Sequence, residues 1–528
     1  MANTLTRPDQ PTDPKMTELS SRARNWLLTV ACLDVLMVVA SMVALNAALP
    51  DLALETSATQ TQLTWVIDGY TLVLACLLLP AGAIGDRYGR RGALLAGLVI
   101  FAVASLAPLH FDSPMEIILS RCLAGAGAAL IMPATLSLLT AAWPKAERNK
   151  AVGIWSGVVG AGAVAGFLGT GILLNYFEWQ SIFWAFAIAS AVLFAITCTI
   201  PSSRDETGKP IDWLGGALVA AAVAVFVFGV IEAPIRGWAH PSVWGCIAGG
   251  LALAAAFTVV QVRRRHPLLD VRLFRRPDFA TGAIGIVFLF AANFGFFFVV
   301  MQHMQLVMEY SALKTALALA PLVVPVVALG GTTHLWLPRI GLRAALVVGL
   351  TTIAVGLVCM RVLDIGSPYI DLAWPLLIIS TGIGFCTAPT TSAIMNAVPD
   401  DKQGVASAVN DTTREVGAAL GIAAAGSVLA AHYQAVLRPA LEAFPEAARG
   451  PAMDSLAQAL GVAEKLGPAG DSLALEAQRA FLSAMDLSLS VLAGLVLVAA
   501  VFVGVWAPGR DGRQLRIVRE RLARDTDD

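Results

Sequence analysis

Among the charged residues inside long apolar runs, six are candidates for chemistry: Asp34, Asp68, Arg121, Asp411, Arg414 and Glu415. An ionisable group at the centre of a bilayer costs roughly 2.5–3.5 kcal/mol on insertion scales, so each needs a partner or a task. Asp411 and Glu415 stand at i and i+4 on one face of a helix, and Arg414 borders that face at i+3. Such a face can carry a proton, because desolvation favours the neutral form of a buried carboxyl. It can equally be a structural Asp411–Arg414 ion pair. Glu415, one turn deeper, is the member expected to titrate. With a rise of ~1.5 Å per residue, Arg121 and Asp68 lie about 9 and 8 Å from the outer ends of their helices, and Asp34 about 12 Å from an inner end. Arg121 and Asp68 therefore share a level and could pair. Asn293, Gln302, His303 and Gln305 are polar at membrane level in one run. Gln302 and Gln305 share a face, and His303, near the outer end, is expected to reach water. The neighbouring Phe294-Gly-Phe-Phe-Phe298 can wall a cavity for a lipophilic cation, or face lipid.

A second set sits between two apolar runs: Gly82-Ala-Ile-Gly-Asp86-Arg87-Tyr-Gly89-Arg90-Arg91. Gly82 and Gly89 permit a tight turn. Asp86 can charge-match a helix N-terminus. Arg87, Arg90 and Arg91 would hold the loop on the cytoplasmic side of a membrane. Asp86 and Arg90 are expected to latch this loop to a neighbouring helix.

The elements that must position these residues are membrane helices. Of 528 residues, 57% are hydrophobic and 14% charged, against ~25% charged in a soluble domain. Fourteen runs are long enough to cross a bilayer: 26–49, 63–83, 92–109, 115–138, 151–174, 181–200, 213–231, 242–261, 280–307, 315–337, 342–360, 373–397, 404–431 and 481–506. Gaps on the side of the N-terminus hold 27 of the 36 Lys and Arg, and the opposite gaps seven. Both termini are thus expected in the cytoplasm, with the protein multi-pass in the cell membrane. Residues 1–25 form an N-terminal tail, 26–200 a first six-helix bundle, 201–279 a loop with two inserted helices, 280–506 a second bundle and 507–528 a basic tail. Within the second bundle, 432–480 is an outer loop expected to be a helical cap or a mobile hairpin. Arg339-Ile-Gly341-Leu-Arg343 echoes Arg87-Tyr-Gly89-Arg-Arg91 at the same place in its half. The first apolar run is too long for a signal core and is expected to be retained. The seven cysteines all lie in apolar runs, which predicts neither disulfide nor metal site.

The Gly82–Arg91 signature resembles the hallmark loop of the major facilitator superfamily. So does its context: Trp65-Val-Ile-Asp68-Gly-Tyr70 before it, then Arg121-Cys-Leu-Ala-Gly125-Ala-Gly127, Leu130-Ile-Met-Pro133, and Gly404-Val-Ala-Ser-Ala-Val-Asn-Asp411-Thr-Thr-Arg414-Glu415-Val-Gly417. Together these are similar to the fourteen-span, QacA-like branch of drug:proton antiporters. The resemblance implies an all-α polytopic fold of two six-helix bundles plus two inserted helices, fourteen spans in all. It implies proton-coupled efflux of amphipathic small molecules, with no cofactor, metal or nucleic acid and with the chain as a monomer in the bilayer. Proton-coupling candidates are Asp68, Arg121, Asp411, Glu415 and Asp34. Cavity candidates are Ser41, Trp65, Tyr70, Asn293, Phe298 and Gln302. Gly162, Gly166 and Gly169 stand on an antiporter-like helix whose small residues let helices approach closely.

Four positions depart from the pattern. Ser41 and Val326 stand where relatives carry acids, Phe167 replaces a proline, and Ala124 replaces a glutamine common elsewhere in the superfamily. The two missing acids imply that monovalent or neutral compounds are exported better than dications, and that Ser41→Asp would broaden the range. A dedicated exporter of one natural product is the alternative, and a non-transporting partner or regulator a further one. No nucleophile–base set, phosphate loop or metal cluster appears at recognisable spacing, so an enzyme is disfavoured.

Overall fold

The computed structural model describes residues 19–510 except 57, 59, 111–112, 145–146 and 205–209. Most of the expected N-terminal tail (1–18) and of the basic tail (511–528) lies outside the described residues. Among the described residues, fourteen helices are long and apolar enough to cross a membrane: α1 (Ser21–Ala44), α2 (Gln62–Tyr88), α3 (Arg90–Leu109), α4 (Pro114–Ala142), α5 (Arg148–Tyr176), α6 (Gln180–Thr197), α7 (Trp213–Pro234), α8 (Pro241–Arg263), α9 (Pro277–Val307), α10 (Leu313–Gly331), α11 (Thr333–Val362), α12 (Tyr369–Ala397), α13 (Asp400–Leu437) and α14 (Asp471–Trp506). The number agrees with the hydropathy reading.

The packing repeats. In the first half α1 lies on α4, α5 and α6, α2 on α4, and α3 on α4 and α6. Eight helices later, α9 lies on α12, α13 and α14, α10 on α12, and α11 on α12 and α14. Small residues set the closest approaches in both halves. A Cβ at Gly166 of α5 would stand 2.6 Å from the Ala40 carbonyl oxygen of α1, and one at Gly162 2.8 Å from Val39. At the matching crossing, Gly417 and Gly421 of α13 lie as tightly on the backbone of Val287 and Ala291 in α9. The halves meet where α2 lies on α13 and α5 on α10. Without side chains at Gly153 and Gly330, α5 and α10 pass backbone to backbone. Helix α7 packs on both α2 and α13, and α8 packs chiefly on α7.

One expectation about an element needs correction. Sequence places the tenth span at 315–337 and the eleventh from 342. The structure ends α10 at Gly331, and a new helix starts at Thr333 and turns at Gly341, where φ is 80°. Hydropathy could not see this break because Leu335-Trp-Leu337 is as apolar as the span before it. The outer segment is a folded cap rather than a free hairpin. Helices Glu446–Asp454 and Leu456–Leu466 bury Ala452, Leu456 and Ala459 on the second half, and the Tyr433 hydroxyl donates to the Ala452 carbonyl at 3.0 Å.

Candidate functional site

The latch is built where α2 ends and α13 begins. The first N–H groups of a helix lack intrahelical acceptors and carry its positive dipole end. Lys402, at the cap position of the helix starting at Gln403, makes no side-chain cap. Asp86 supplies the missing acceptor from the other half: Oδ1 accepts from Gly404 N at 2.9 Å and Oδ2 from Val405 N at 3.1 Å. Glycines make the approach possible, since a Cβ at Gly82 would stand 2.5 Å from the Gly404 carbonyl oxygen and one at Gly404 2.6 Å from Gly82. Arg90, buried, pairs with Asp86 at 2.8 Å and donates to the Asp400 carbonyl at 3.2 Å and to Ser203 Oγ at 3.0 Å. Gly89 opens α3 with φ 114°, a conformation that favours glycine. Arg91 donates to the Ile200 carbonyl at 2.8 Å, while Arg87 is half-buried and takes no part. Two groups that sequence reasoning did not single out complete the latch: Arg148 at the start of α5 pairs with Asp400 at 2.8 Å, and Ser203 receives Arg90. Their partners are more than 100 residues away, so no local spacing announces them.

Above the latch lies a cavity of about 530 Å³, extending from the middle of the bundle toward the face opposite the latch. This is the size of drug-binding pockets, roughly 300–1,000 Å³. Helix α9 contributes Phe290, Asn293, Phe294, Phe297 and Phe298, α5 contributes Phe167, and α10 contributes Val326. The aromatic run of α9 thus faces the cavity, apart from Phe296, which is buried in the second half. Ser380 and Thr387, seven apart on α12, also line the wall, their hydroxyls donating back to the Leu377 and Ile383 carbonyls of the same helix. That helical period was a usable signal which the sequence reading passed over.

Three charged side chains reach this cavity: Asp68 from the first half, Arg414 and Glu415 from the second. Arg414 is held by four neighbours, although its Nε and Nη1 have no hydrogen-bond partner. Its guanidinium lies over the rings of Trp155 at 5.0 Å and Phe290 at 5.1 Å, donates to Thr391 Oγ1 at 3.1 Å, and stands 3.8 Å from Asp411 Oδ1. Asp411 is fully buried behind it, taking a hydrogen bond from Asn410 at 2.9 Å. Glu415 differs from Asp411 in lining the cavity; its Oε2 is buried and, like Asp411 Oδ2 behind the wall, has no hydrogen-bond partner. A carboxylate oxygen so placed must find a proton or a cation.

Other candidates lie elsewhere. Arg121 does not pair with Asp68. It donates to Ser41 Oγ and the Ser41 carbonyl at 3.0 Å each and to the Val66 carbonyl at 3.1 Å, with its guanidinium 4.4 Å over the Tyr70 ring. Depth gave the level but not the azimuth. At 3.6 residues per turn, Asp68 and Tyr70 point about 200° apart around α2, so the helix face that meets Arg121 turns Asp68 into the cavity. Asp68 instead lies within electrostatic reach of Glu232 on α7. Ser41 and Tyr70 are buried behind the cavity wall rather than in it. Trp65 packs on Phe228 of α7 with ring centroids 5.9 Å apart, and Gln302 bonds back to the Phe298 carbonyl. Asp34 is buried between α1 and α6, accepting from Thr197 at 3.4 Å, away from the cavity. A Cβ at Gly169 would meet nothing within 4 Å, so this glycine has no packing role. His303 does not reach water. It is fully buried in a π-helical turn, with no partner on either ring nitrogen.

The place of Ser41 reverses the expectation that Ser41→Asp would widen the range toward dications. A carboxylate at position 41 would meet Arg121, not the cavity. The variant should leave the range of substrate charge unchanged, because its carboxylate would pair with buried Arg121, which already donates to Ser41. Efflux of monovalent and divalent dyes by the variant checks this, and a gain in resistance to dications would contradict it.

Two repeated bundles, a cavity between them that reaches one face, and a latch across the other face define a membrane transporter. The chain belongs to the Major Facilitator Superfamily, whose family model matches residues 32–422. It is 31% identical over 496 residues to the multidrug efflux pump LfrA of Mycolicibacterium smegmatis, covering 93% of this chain and 98% of that one. It is 30% identical over 495 residues to the methyl viologen resistance protein SmvA of Salmonella typhimurium, covering 92% and 98%. The fold superposes on the proton:xylose symporter XylE with a TM-score of 0.61 at 13% identity, covering 94% of this chain and 98% of that one.

Proposed function

We propose that this protein exports amphipathic drugs from the cytoplasm across the cytoplasmic membrane in exchange for protons. The latch face carries most of the Lys and Arg between spans and so faces the cytoplasm on this reading. The observation that carries the proposal is Glu415, with a buried, unpartnered carboxylate oxygen on the wall of a drug-sized aromatic cavity, opposite Asp68 on the other half. Kinship with proteins named for multidrug efflux and resistance supports the same reading.

The exchange follows from competition for one carboxyl. A lipophilic cation seated against the phenylalanines of α9 is held by ionised Glu415. A proton arriving from outside neutralises Glu415 and releases the cation. Fixed Arg414 stays charged beside it, which favours loss of that proton once the cavity faces the cytoplasm. Glu415 and the latch share one rod: Gly404 lies 11 residues before Glu415 on α13, about three turns. Occupancy at Glu415 can therefore bear directly on the helix end that Asp86 grips. Cells over-expressing the chain should accumulate several-fold less ethidium than controls, and a protonophore should remove the difference. Equal accumulation at verified expression would overturn the proposal.

A further inference from the structure

We infer that α7, the first inserted helix, is a substrate-specificity element: its Val227, Ile231 and Pro234 form a cavity wall that neither six-helix half supplies. This inference rests on the drug-export reading for its substrates but not for its geometry. The three residues stand at i, i+4 and i+7, one face of the helix, and all three line the cavity. Helix α7 packs on α2 of the first half and α13 of the second, so it lies over the seam that those two helices leave.

The wall is held at both ends. At the latch end Asp212 caps α7 through Gly215 N at 3.0 Å, and it also binds Gln261 at 2.7 Å and Arg264 at 3.1 Å from the second inserted helix and its end. At the far end Trp238 Nε1 donates to Ser427 Oγ of α13 at 2.7 Å. Between them Phe228 packs on Trp65 of α2. Helix α8 braces the outer side, where Gly250 lets the backbone of Phe226 approach closely enough that a Cβ would stand 2.7 Å from its nitrogen. A wall fixed in this way, built of aliphatic carbon with no polar group to orient a ligand, discriminates by bulk. Adding volume at 231 narrows the cavity, and removing it widens the cavity.

The test has two arms. In the first, Ile231→Cys in the full chain is treated from outside with a membrane-impermeant maleimide, and wild-type labelling of the native cysteines is subtracted. Leu251→Cys, on the exposed outer side of α8, is the lipid-facing control. Ile231→Cys should label at least tenfold faster than Leu251→Cys, and ethidium should slow it. In the second arm, Ile231→Trp should lower efflux of the bulky dye rhodamine 6G at least tenfold more than efflux of ethidium, while Ile231→Ala should not. Labelling of Ile231→Cys no faster than the control overturns the inference, as does an unchanged ratio of the two dyes in Ile231→Trp. If wild type exports neither dye, the export reading fails on its own, and the labelling arm with its ethidium protection still decides whether α7 is the wall.

Discussion

Glu415→Gln should abolish proton-driven uphill efflux, with transport in vesicles falling at least a hundredfold to the background leak, while dye binding stays measurable. The residue lines the cavity, its Oε2 has no partner, and among the described residues no other carboxyl on α13 reaches the cavity. Glutamine keeps the volume and one acceptor oxygen but cannot exchange a proton. The sign of the pH effect follows. In wild type a lipophilic cation should bind more tightly as pH rises, because ionised Glu415 attracts it, and this slope should flatten in Glu415→Gln. If the variant concentrates dye as well as wild type, the coupling proton is carried elsewhere, and Asp68 becomes the leading residue.

Asp86→Asn should leave the protein inserted but cut efflux more than tenfold. The carboxylate accepts two backbone N–H groups from the start of α13 and pairs with buried Arg90. Asparagine would set its amide N–H₂ against one of those N–H donors and leave Arg90 without its carboxylate. Truncating one partner of a buried charge pair costs about 2–5 kcal/mol. Because 1.4 kcal/mol is a factor of ten, the equilibrium between latched and open forms would shift by roughly 30-fold or more. Cysteine accessibility on the latch face should rise in parallel with the loss of efflux. Normal efflux from a well-expressed Asp86→Asn variant would show that the latch does not control the cycle.

The sequence made some of this legible and hid the rest for identifiable reasons. Spans were visible because each is a long, mostly apolar run, and the count of fourteen needed nothing more. The Gly82–Arg91 loop was visible because its glycines, acid and arginines are adjacent in the chain. Arg148, Asp400 and Ser203 act in the same latch but are brought in by tertiary packing alone. Arg121 shows where depth arguments stop. A rise per residue places Asp68 at its level, and only rotation about α2 decides that Arg121 meets Tyr70 and Ser41 instead. His303 shows that nearness to a helix end does not mean exposure when a π-helical turn rotates the side chain inward. The α7 wall left no trace at all, since Val227, Ile231 and Pro234 look like any lipid-facing apolar face until the helix is placed on the seam.

The central claim, exchange of drug for proton through this cavity, is tested most directly in proteoliposomes holding the purified protein, with membrane potential clamped at zero and a pH gradient imposed. On this account ethidium moves against its own concentration gradient toward the side of higher proton concentration, and the gradient collapses faster when ethidium is present. Ethidium that only equilibrates, at a rate indifferent to the pH gradient, would contradict it.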